Sequence, residues 1–402
     1  MQTILENLQN VKIASSSLSS LEIDIRNNII SDIWDEIIKN TELIKLENQR
    51  DLKNMDKSDP MYDRLLLTDT RINAMWQWCY NLVNIKDPLK KYDVEKWIFT
   101  NDGLEIKKQA IPLWVVACIY EARPNVTIDI AIMAIKSSNW VVLRWWTFAK
   151  YSNIFLVKLI KSVLESHNIN TDLIYNYPIE REKLDILYNA IWLVDVIIPR
   201  WWRKLIDNVR KKSLIPVIET WAWVVHLYLD DKIKEENFIK AIDIIINAKA
   251  SRPSVCNALD TLIINSNCSK DLLNSLFSEL EKKGIKIINE NIDYNKEQLS
   301  LNLNIKYVDN LENAISHIQK YSSKHSDWIL SDDENNIFIF NKRIDSSVVY
   351  TNTSTRFSDG SCFWFWWEIW ISTQKLHARW PMWSESLVSY KYVINSNWII
   401  RI

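Results

Sequence analysis

Glycine is almost missing from this chain, at 3 of 402 residues. An average protein carries about 7% glycine, roughly 28 in a chain of this length. Tryptophan, ordinarily scarce, numbers 21. It stands in unusual contexts: Arg144-Trp145-Trp146, Arg200-Trp201-Trp202, Thr220-Trp221-Ala222-Trp223 and the segment Phe363–Trp370. Tight turns of that kind need positive φ and close backbone approach, which glycine permits and tryptophan does not. The pattern reads as a gene in which UGA encodes glycine, rendered here with tryptophan at those codons; UGG at these positions would exclude it. The alternative is a truly tryptophan-rich protein, with aromatic platforms for bases or sugars or a tryptophan-filled core. Platforms come interleaved with basic residues, whereas 49 Lys+Arg against 50 Asp+Glu leave a net charge of −1. The core reading fits poorly too, because the tryptophans cluster beside Arg, Thr, Pro and Ser.

Other absences narrow the class. Without a basic excess, nucleic acid is not an expected partner. No apolar run approaches the length that crosses a bilayer, and the first twenty residues lack the basic head and apolar stretch of an export signal. Five cysteines (79, 118, 256, 268, 362) are odd in number and show no CxxC spacing. They read as free thiols in a reducing cytosol, not as a disulfide framework or a zinc site. The histidines show no metal-ligand spacing, so no metal is expected. The expectation is a cytoplasmic protein of two or three domains.

Apolar periodicity predicts helices through residues 1–80, with a stripe Leu21-Ile25-Ile29-Ile33-Ile37 and a second run from Leu65 to Met75. Residues 94–112 predict a hairpin turning at Asn101-Asp102-Gly103. Strands are then expected at Val115–Tyr120, Trp140–Arg144, Val194–Ile198, Pro216–Ile218 and Val224–Leu229. Helices at Ile128–Ser138, Ala149–Ser166 and Lys204–Lys212 lie between them. Apolar strands alternating with amphipathic helices mean a parallel sheet covered on both faces. A second α/β series follows: helices at Phe238–Ala248, Lys270–Lys283 and Leu311–Tyr321, strands at Thr261–Ile264, Ile285–Ile288 and Ser347–Tyr350. Residues 286–304 read as an Asn-rich surface connection, and Ser389–Ile402 as a terminal strand or two.

Four motifs contain no tryptophan: Y-E-A-R-P-N-V-T (120–127), R-P-S-V-C-N (252–257), S-T-R-F (354–357) and S-T-Q-K-L-H-A-R (372–379). On these the chain resembles the gamma-glutamyl phosphate reductase family, the proline-biosynthesis branch of the aldehyde dehydrogenase superfamily. The resemblance runs nearly end to end. It places family glycines at tryptophans 114, 145, 146, 192, 201, 202, 221, 223, 364, 366, 370, 380 and 383. Trp140, Trp328 and Trp367 stand where alanine is common, Ser138 and Ser361 where glycine is usual, and the 285–305 region looks shortened.

The resemblance implies an α/β, aldehyde-dehydrogenase-like fold with three parts. These are a Rossmann-type NADP-binding domain (1–91 and 113–229), a small β oligomerisation flap (92–112 and 388–402) and an α/β catalytic domain (230–387). It implies NADPH-dependent reduction of L-glutamyl 5-phosphate to L-glutamate 5-semialdehyde through a cysteine thioester. A homo-oligomer, dimer or tetramer, is expected, and glutamate 5-kinase is a possible partner. The competing readings are a relative acting on a free aldehyde or an acyl-CoA, or a non-catalytic scaffold if the tryptophans are literal.

Cys256 is the candidate nucleophile. It follows a helix and lies near Arg252, and a neighbouring cation makes a thiolate available. The alternative fate, a buried small hydrophobe, suits Cys79, Cys118 and Cys268 better; the family places no nucleophile at Cys362. Asn125 is either the superfamily's oxyanion donor or a helix N-cap, a role Thr127 could share. No GxGxxG exists even with glycines restored. Cofactor binding is therefore expected at the strand ends Arg144-Trp145-Trp146 and Arg200-Trp201-Trp202, where helix N-termini favour phosphate. Arg144 either meets a 2′-phosphate or is merely solvated. Glu219 aligns with a general base of hydrolytic relatives and is grouped with the cofactor positions, with no base role. Arg123, Arg252, Arg356 and Arg379 are candidates for the substrate's phosphate and carboxylate, or for structural ion pairs. Lys375 and His377 are assigned no chemistry.

Overall fold

A computed structural model describes residues 2–15, 18–53, 55–57, 59–93, 95, 97–100, 103–120, 123–200, 203–219, 223–357, 372–379 and 382–400. The chain forms two compact units, Met1–Thr220 with Leu376–Ile402, and Trp221–Phe365 with Ile371–Lys375.

The first unit opens with five helices: α1 (Gln2–Ala14), α2 (Ile23–Lys39), α3 (Thr41–Leu52), α4 (Pro60–Leu65) and α5 (Asp69–Val83). Local chemistry sets their starts. The Asp59 carboxylate accepts the Met61 N–H ahead of Pro60, and the Thr68 hydroxyl accepts the Arg71 N–H. The expected stripe on α2 is offset: Ile29, Ile33 and Ile37 are buried together with Ile30 and Trp34, while Ile25 is exposed. Leu65 to Met75 divides into two helices at residues 66–68.

Next comes an antiparallel hairpin of β1 (Ile98–Phe99) and β2 (Glu105–Pro112), with Gly103 at φ 84°. The tip residues 101–102 lie outside the described residues. The α/β succession then runs β3 (Val115–Ile119), α6 (Pro124–Lys136), β4 (Trp140–Arg144), α7 (Lys150–Ser166), β5 (Ile174–Asn176), α8 (Leu184–Tyr188), β6 (Val196–Pro199) and α9 (Arg203–Lys212). These strands form a parallel sheet in the order β5-β4-β3-β6. Strands β3 and β4 are buried along their whole length. Helix α6 is apolar nearly all round and buried nearly all round, the pattern of a helix packed on more than one side. Its last turn is closed by Arg26, which donates to the Lys136 carbonyl at 2.5 Å and pairs with Asp87 at 2.7 Å.

The second unit runs β7 (His226–Leu229), α10 (Phe238–Ala250), β8 (Thr261–Asn265), α11 (Lys270–Lys282), β9 (Lys286–Ile288), β10 (Asn302–Val308), α12 (Leu311–Tyr321), β11 (Ser326–Leu330), α13 (Glu334–Arg343) and β12 (Val348–Thr351). Its sheet is parallel throughout, in the order β12-β11-β7-β8-β10-β9. The chain then returns to the first unit, where β13 (Val388–Asn395) pairs antiparallel with β2 in the sheet β1-β2-β13.

Several expectations are corrected. The boundary at 229 falls instead at 220–221, because β7 is an interior strand of the second unit's sheet. Pro216–Ile218 makes only one bridge, Val217 to Ile197. Strands β5, β10 and β11 and helices α8 and α13 lie outside the expected elements. Strand β10 carries Asn and Lys among its apolar residues, and buries Leu303, Asn304 and Ile305. Strand β11 begins with buried Ser326 and Asp327, which read as loop residues. Asp327 is tolerated there because it accepts from the His226 N–H and the Ser322 and Ser346 hydroxyls.

Tryptophan fits its own positions badly. Trp114, Trp192 and Trp398 have φ of 79°, 68° and 55°, the region that suits glycine; Ser138 shares it at 57°. The buried indole N–H groups of Trp140, Trp145 and Trp328 meet no acceptor among the described residues. A left-handed residue with a Cβ costs about 1–2 kcal/mol, and an orphaned buried donor about 1–3 kcal/mol. Trp192 is 85% exposed, so little packing offsets its strain. Trp192→Gly should therefore stabilise the fold by on the order of 1 kcal/mol in denaturant unfolding; a loss of stability would contradict the strain argument.

Candidate functional site

At the C-terminal edge of the first unit's sheet, Arg144 ends β4, Ile119 pairs with it from β3, and Arg200 follows β6. Strand ends of a parallel sheet are where such folds bind ligands. Arg144 is fully buried, which removes the reading of a merely solvated arginine. Its Nη2 donates to the Ile179 carbonyl at 2.9 Å, while Nε and Nη1 meet no acceptor among the described residues. Burial lowers its pKa. The half-buried Trp146 ring lies 4.0 Å from the guanidinium carbon, and Trp145 is buried beside Tyr120 with ring centroids 6.3 Å apart. Arg200 is half-buried and its N–H donates to the Ile119 carbonyl at 2.7 Å. Trp201 and Trp202 lie outside the described residues. Glu219 is buried and pairs with Arg210 at 3.3 Å.

Helix α6 rises from the same edge. Its N-cap is Arg123, exposed and making no side-chain capping bond. Asn125 lies inside the first turn, one residue after Pro124, so it is not the cap. Thr127 is not a cap either; its hydroxyl bonds Tyr120 at 2.6 Å and Asn153 at 2.8 Å. The Asn125 amide instead donates to Asp129 Oδ2 at 3.1 Å. Asp129 is buried, its other oxygen meets no donor among the described residues, and burial raises its pKa to about 7. Asp129 was missed in the sequence. Its signal was the i, i+4 spacing from Asn125, which places both on one helical face.

In the second unit, Cys256 sits between α10 and β8, half-buried. The Ala258 N–H donates to the Val255 carbonyl at 3.1 Å, so Cys256 and Asn257 are the central residues of a turn. By contrast Cys79, Cys118 and Cys268 are buried, and burial raises each thiol's pKa, to about 12 for the last two. Cys362 lies outside the described residues. Arg252 is exposed on the loop before the turn. Arg356 is half-buried and donates through Nη1 to Asn257 Oδ1. Arg379, half-buried, belongs to the first unit.

No protein-family model matches the sequence. Individual relatives do. The chain is 41% identical to a gamma-glutamyl phosphate reductase of Chlorobaculum parvum, covering 100% of this chain and 99% of the relative. It is 41% identical to that of Legionella pneumophila, covering 99% of each. The chain belongs to the gamma-glutamyl phosphate reductase family. The crystal structure of the gamma-glutamyl phosphate reductase from Thermotoga maritima superposes with a TM-score of 0.93 at 32% identity, over 99% of this chain and 100% of that one. An acetylating aldehyde dehydrogenase from Geobacillus thermoglucosidasius shares the fold at a TM-score of 0.70 and 14% identity. As a member of the gamma-glutamyl phosphate reductase family the chain is an oxidoreductase with the aldehyde-dehydrogenase-like fold that its motifs implied.

The raised Asp129 pKa gives this family member a pH signature. A carboxyl that holds its proton more tightly when folded stabilises the fold at low pH, and that contribution is lost as pH rises from about 4 to about 7. Asp129→Asn should flatten stability across that window, gaining on the order of 2–4 kcal/mol over the parent protein above about pH 7. Parallel stability curves for the two proteins would contradict the assignment.

Proposed function

We propose that the chain reduces L-glutamyl 5-phosphate to L-glutamate 5-semialdehyde and releases phosphate, with NADPH as the reductant and Cys256 as the nucleophile. The observation that carries this is the Cys256 turn within a chain of this family: among the described cysteines it alone is not buried. The Cys256 thiolate attacks the acyl carbon, and its own backbone N–H with the Asn125 amide stabilises the developing oxyanion, which is where fixed donors help most. The C–O bond to phosphate breaks, leaving a glutamyl thioester on Cys256. The cofactor, when bound, supplies the hydride that reduces this thioester; the tetrahedral centre then collapses, freeing the aldehyde and returning the Cys256 thiolate.

Arg144 and Arg200 would hold the cofactor at the sheet edge, with the α6, α7 and α9 N-termini favouring phosphate. The two buried Arg144 donors that meet no acceptor among the described residues suit an anion. Bound NADP is present in two fold relatives, a glyceraldehyde-3-phosphate dehydrogenase from Methanocaldococcus jannaschii and an engineered glycolyl-CoA reductase. Trp145 and Trp146 fill the space beside that guanidinium, and glycine at both positions would open it. This reading therefore includes glycine at the family's glycine positions. It also gives the roles of anion ligands to Arg123, Arg252 and Arg379, and a role in self-assembly to the β1-β2-β13 sheet. That sheet leaves Phe99, Tyr392 and Ile394 exposed, as an assembly surface would.

The test is NADPH oxidation driven by glutamyl phosphate, in the chain with those tryptophans replaced by glycine. Activity should require the acyl phosphate, fall by at least about 10³-fold in Cys256→Ala, and fall by about 10²–10³-fold in Asn125→Ala. Retained activity in Cys256→Ala, or equal turnover of free aldehydes or acyl-CoA, would refute it.

A further inference from the structure

We infer that Thr355 and Arg356 form a positioning clamp on Asn257, and that the clamp sets the direction of the Cys256 thiol and backbone N–H. This rests on the proposal that Cys256 is the acylated residue.

Cys256 and Asn257 share the centre of one turn, closed by the Ala258 N–H on the Val255 carbonyl, so a constraint on Asn257 limits how its neighbour can turn. The turn's approach to β8 is already tied to α10, through the Leu259 N–H on the Ala248 carbonyl at 3.1 Å. The turn itself is held from residues about a hundred positions further along the chain. The Thr355 hydroxyl donates to the Asn257 backbone carbonyl at 2.5 Å. Arg356 donates through Nη1 to the Asn257 side-chain oxygen. Asn257 is 3% exposed and Thr355 fully buried, so water competes poorly for these bonds. Arg356 is itself steadied, its N–H donating to the Ser354 hydroxyl at 3.2 Å. One tie fixes the carbonyl and the other the side chain, so both the ψ and the χ angles of Asn257 are set. A charge-assisted bond from a guanidinium is about twice as strong as a neutral one.

The arrangement explains two motifs together. S-T-R-F supplies the clamp, and R-P-S-V-C-N supplies the turn it grips. It also distinguishes two roles for Arg356. A substrate ligand, the role its residue type suggests, would raise KM when weakened. A positioning residue acts on the reacting sulfur, so it lowers kcat and leaves KM nearly unchanged.

The experiment uses the full-length parent of the preceding test, with glycine at those tryptophan positions, carrying Arg356→Lys, Thr355→Val or Thr355→Ser. Two quantities are read: kcat and KM with glutamyl phosphate, and the rate of Cys256 alkylation by iodoacetamide over a pH series without substrate. A misplacement of about 1 Å costs on the order of 10²-fold. Arg356→Lys and Thr355→Val should therefore each lower kcat by about 10–100-fold with KM changed less than about 3-fold. Both should shift the alkylation profile. Thr355→Ser, which keeps the hydroxyl, should recover kcat to within about 3-fold of the parent. A raised KM at unchanged kcat, or an unchanged alkylation profile in both Arg356→Lys and Thr355→Val, would overturn the clamp. If the parent fails to reduce glutamyl phosphate at all, the proposed reaction falls, and the alkylation comparison still decides the clamp.

Discussion

A buried ammonium holds the base of the Cys256 loop. Lys249, in the last turn of α10, is fully buried and donates through Nζ to the Leu259 carbonyl at 2.8 Å. This bond and the neighbouring Leu259 N–H to Ala248 carbonyl bond close the segment between α10 and β8 at its root. Everything between projects as a short loop with Cys256 near its end. Burial brings the Lys249 pKa down to about 8 and raises that of the adjacent Asp260 to about 6. Such groups are retained only where geometry repays their desolvation. Here the return is a fixed root for the Cys256 turn: Asp260 also accepts the Val225 and Gln298 N–H groups, binding the loop to the start of β7 and to residue 298.

The second constraint is steric, and it concerns residues that are too large. At residues 114 and 192 the backbone adopts a conformation that glycine takes without cost. At 140, 145 and 328 a buried ring carries an N–H that meets no acceptor among the described residues. At 145 and 146 the rings lie where a parallel sheet ordinarily receives a phosphate-bearing ligand. Three separate penalties, in backbone angle, hydrogen bonding and space, point to one cause.

Much of this was legible in the chain itself. The α/β alternation of 115–229 follows from apolar strand runs separated by helix-period segments, and Trp140–Arg144 forms a strand over the predicted residues. The motifs without tryptophan identified the family and singled out Cys256. What escaped were features set by partners distant in sequence. Strand β11 begins with Ser326 and Asp327, which look like loop residues until His226, Ser322 and Ser346 are seen to satisfy them. Strand β7 looked like the last strand of the first sheet, and only its pairing with β8 and β11 assigns it to the second. The sequence left Arg144 open between solvent and a 2′-phosphate, and only its full burial removes the first. Asn125 looked free to cap a helix because nothing in the sequence weighed Asp129 as its acceptor.

The central claim is that the Cys256 sulfur becomes covalently acylated, and peptide mapping of the stalled intermediate tests it most directly. Protein mixed with glutamyl phosphate in the absence of reductant, quenched in acid and digested, should carry a glutamyl group on the peptide containing Cys256. That group should be released by hydroxylamine, as a thioester is. An adduct on another residue, or no adduct in a preparation that still forms product once reductant is added, would contradict the account.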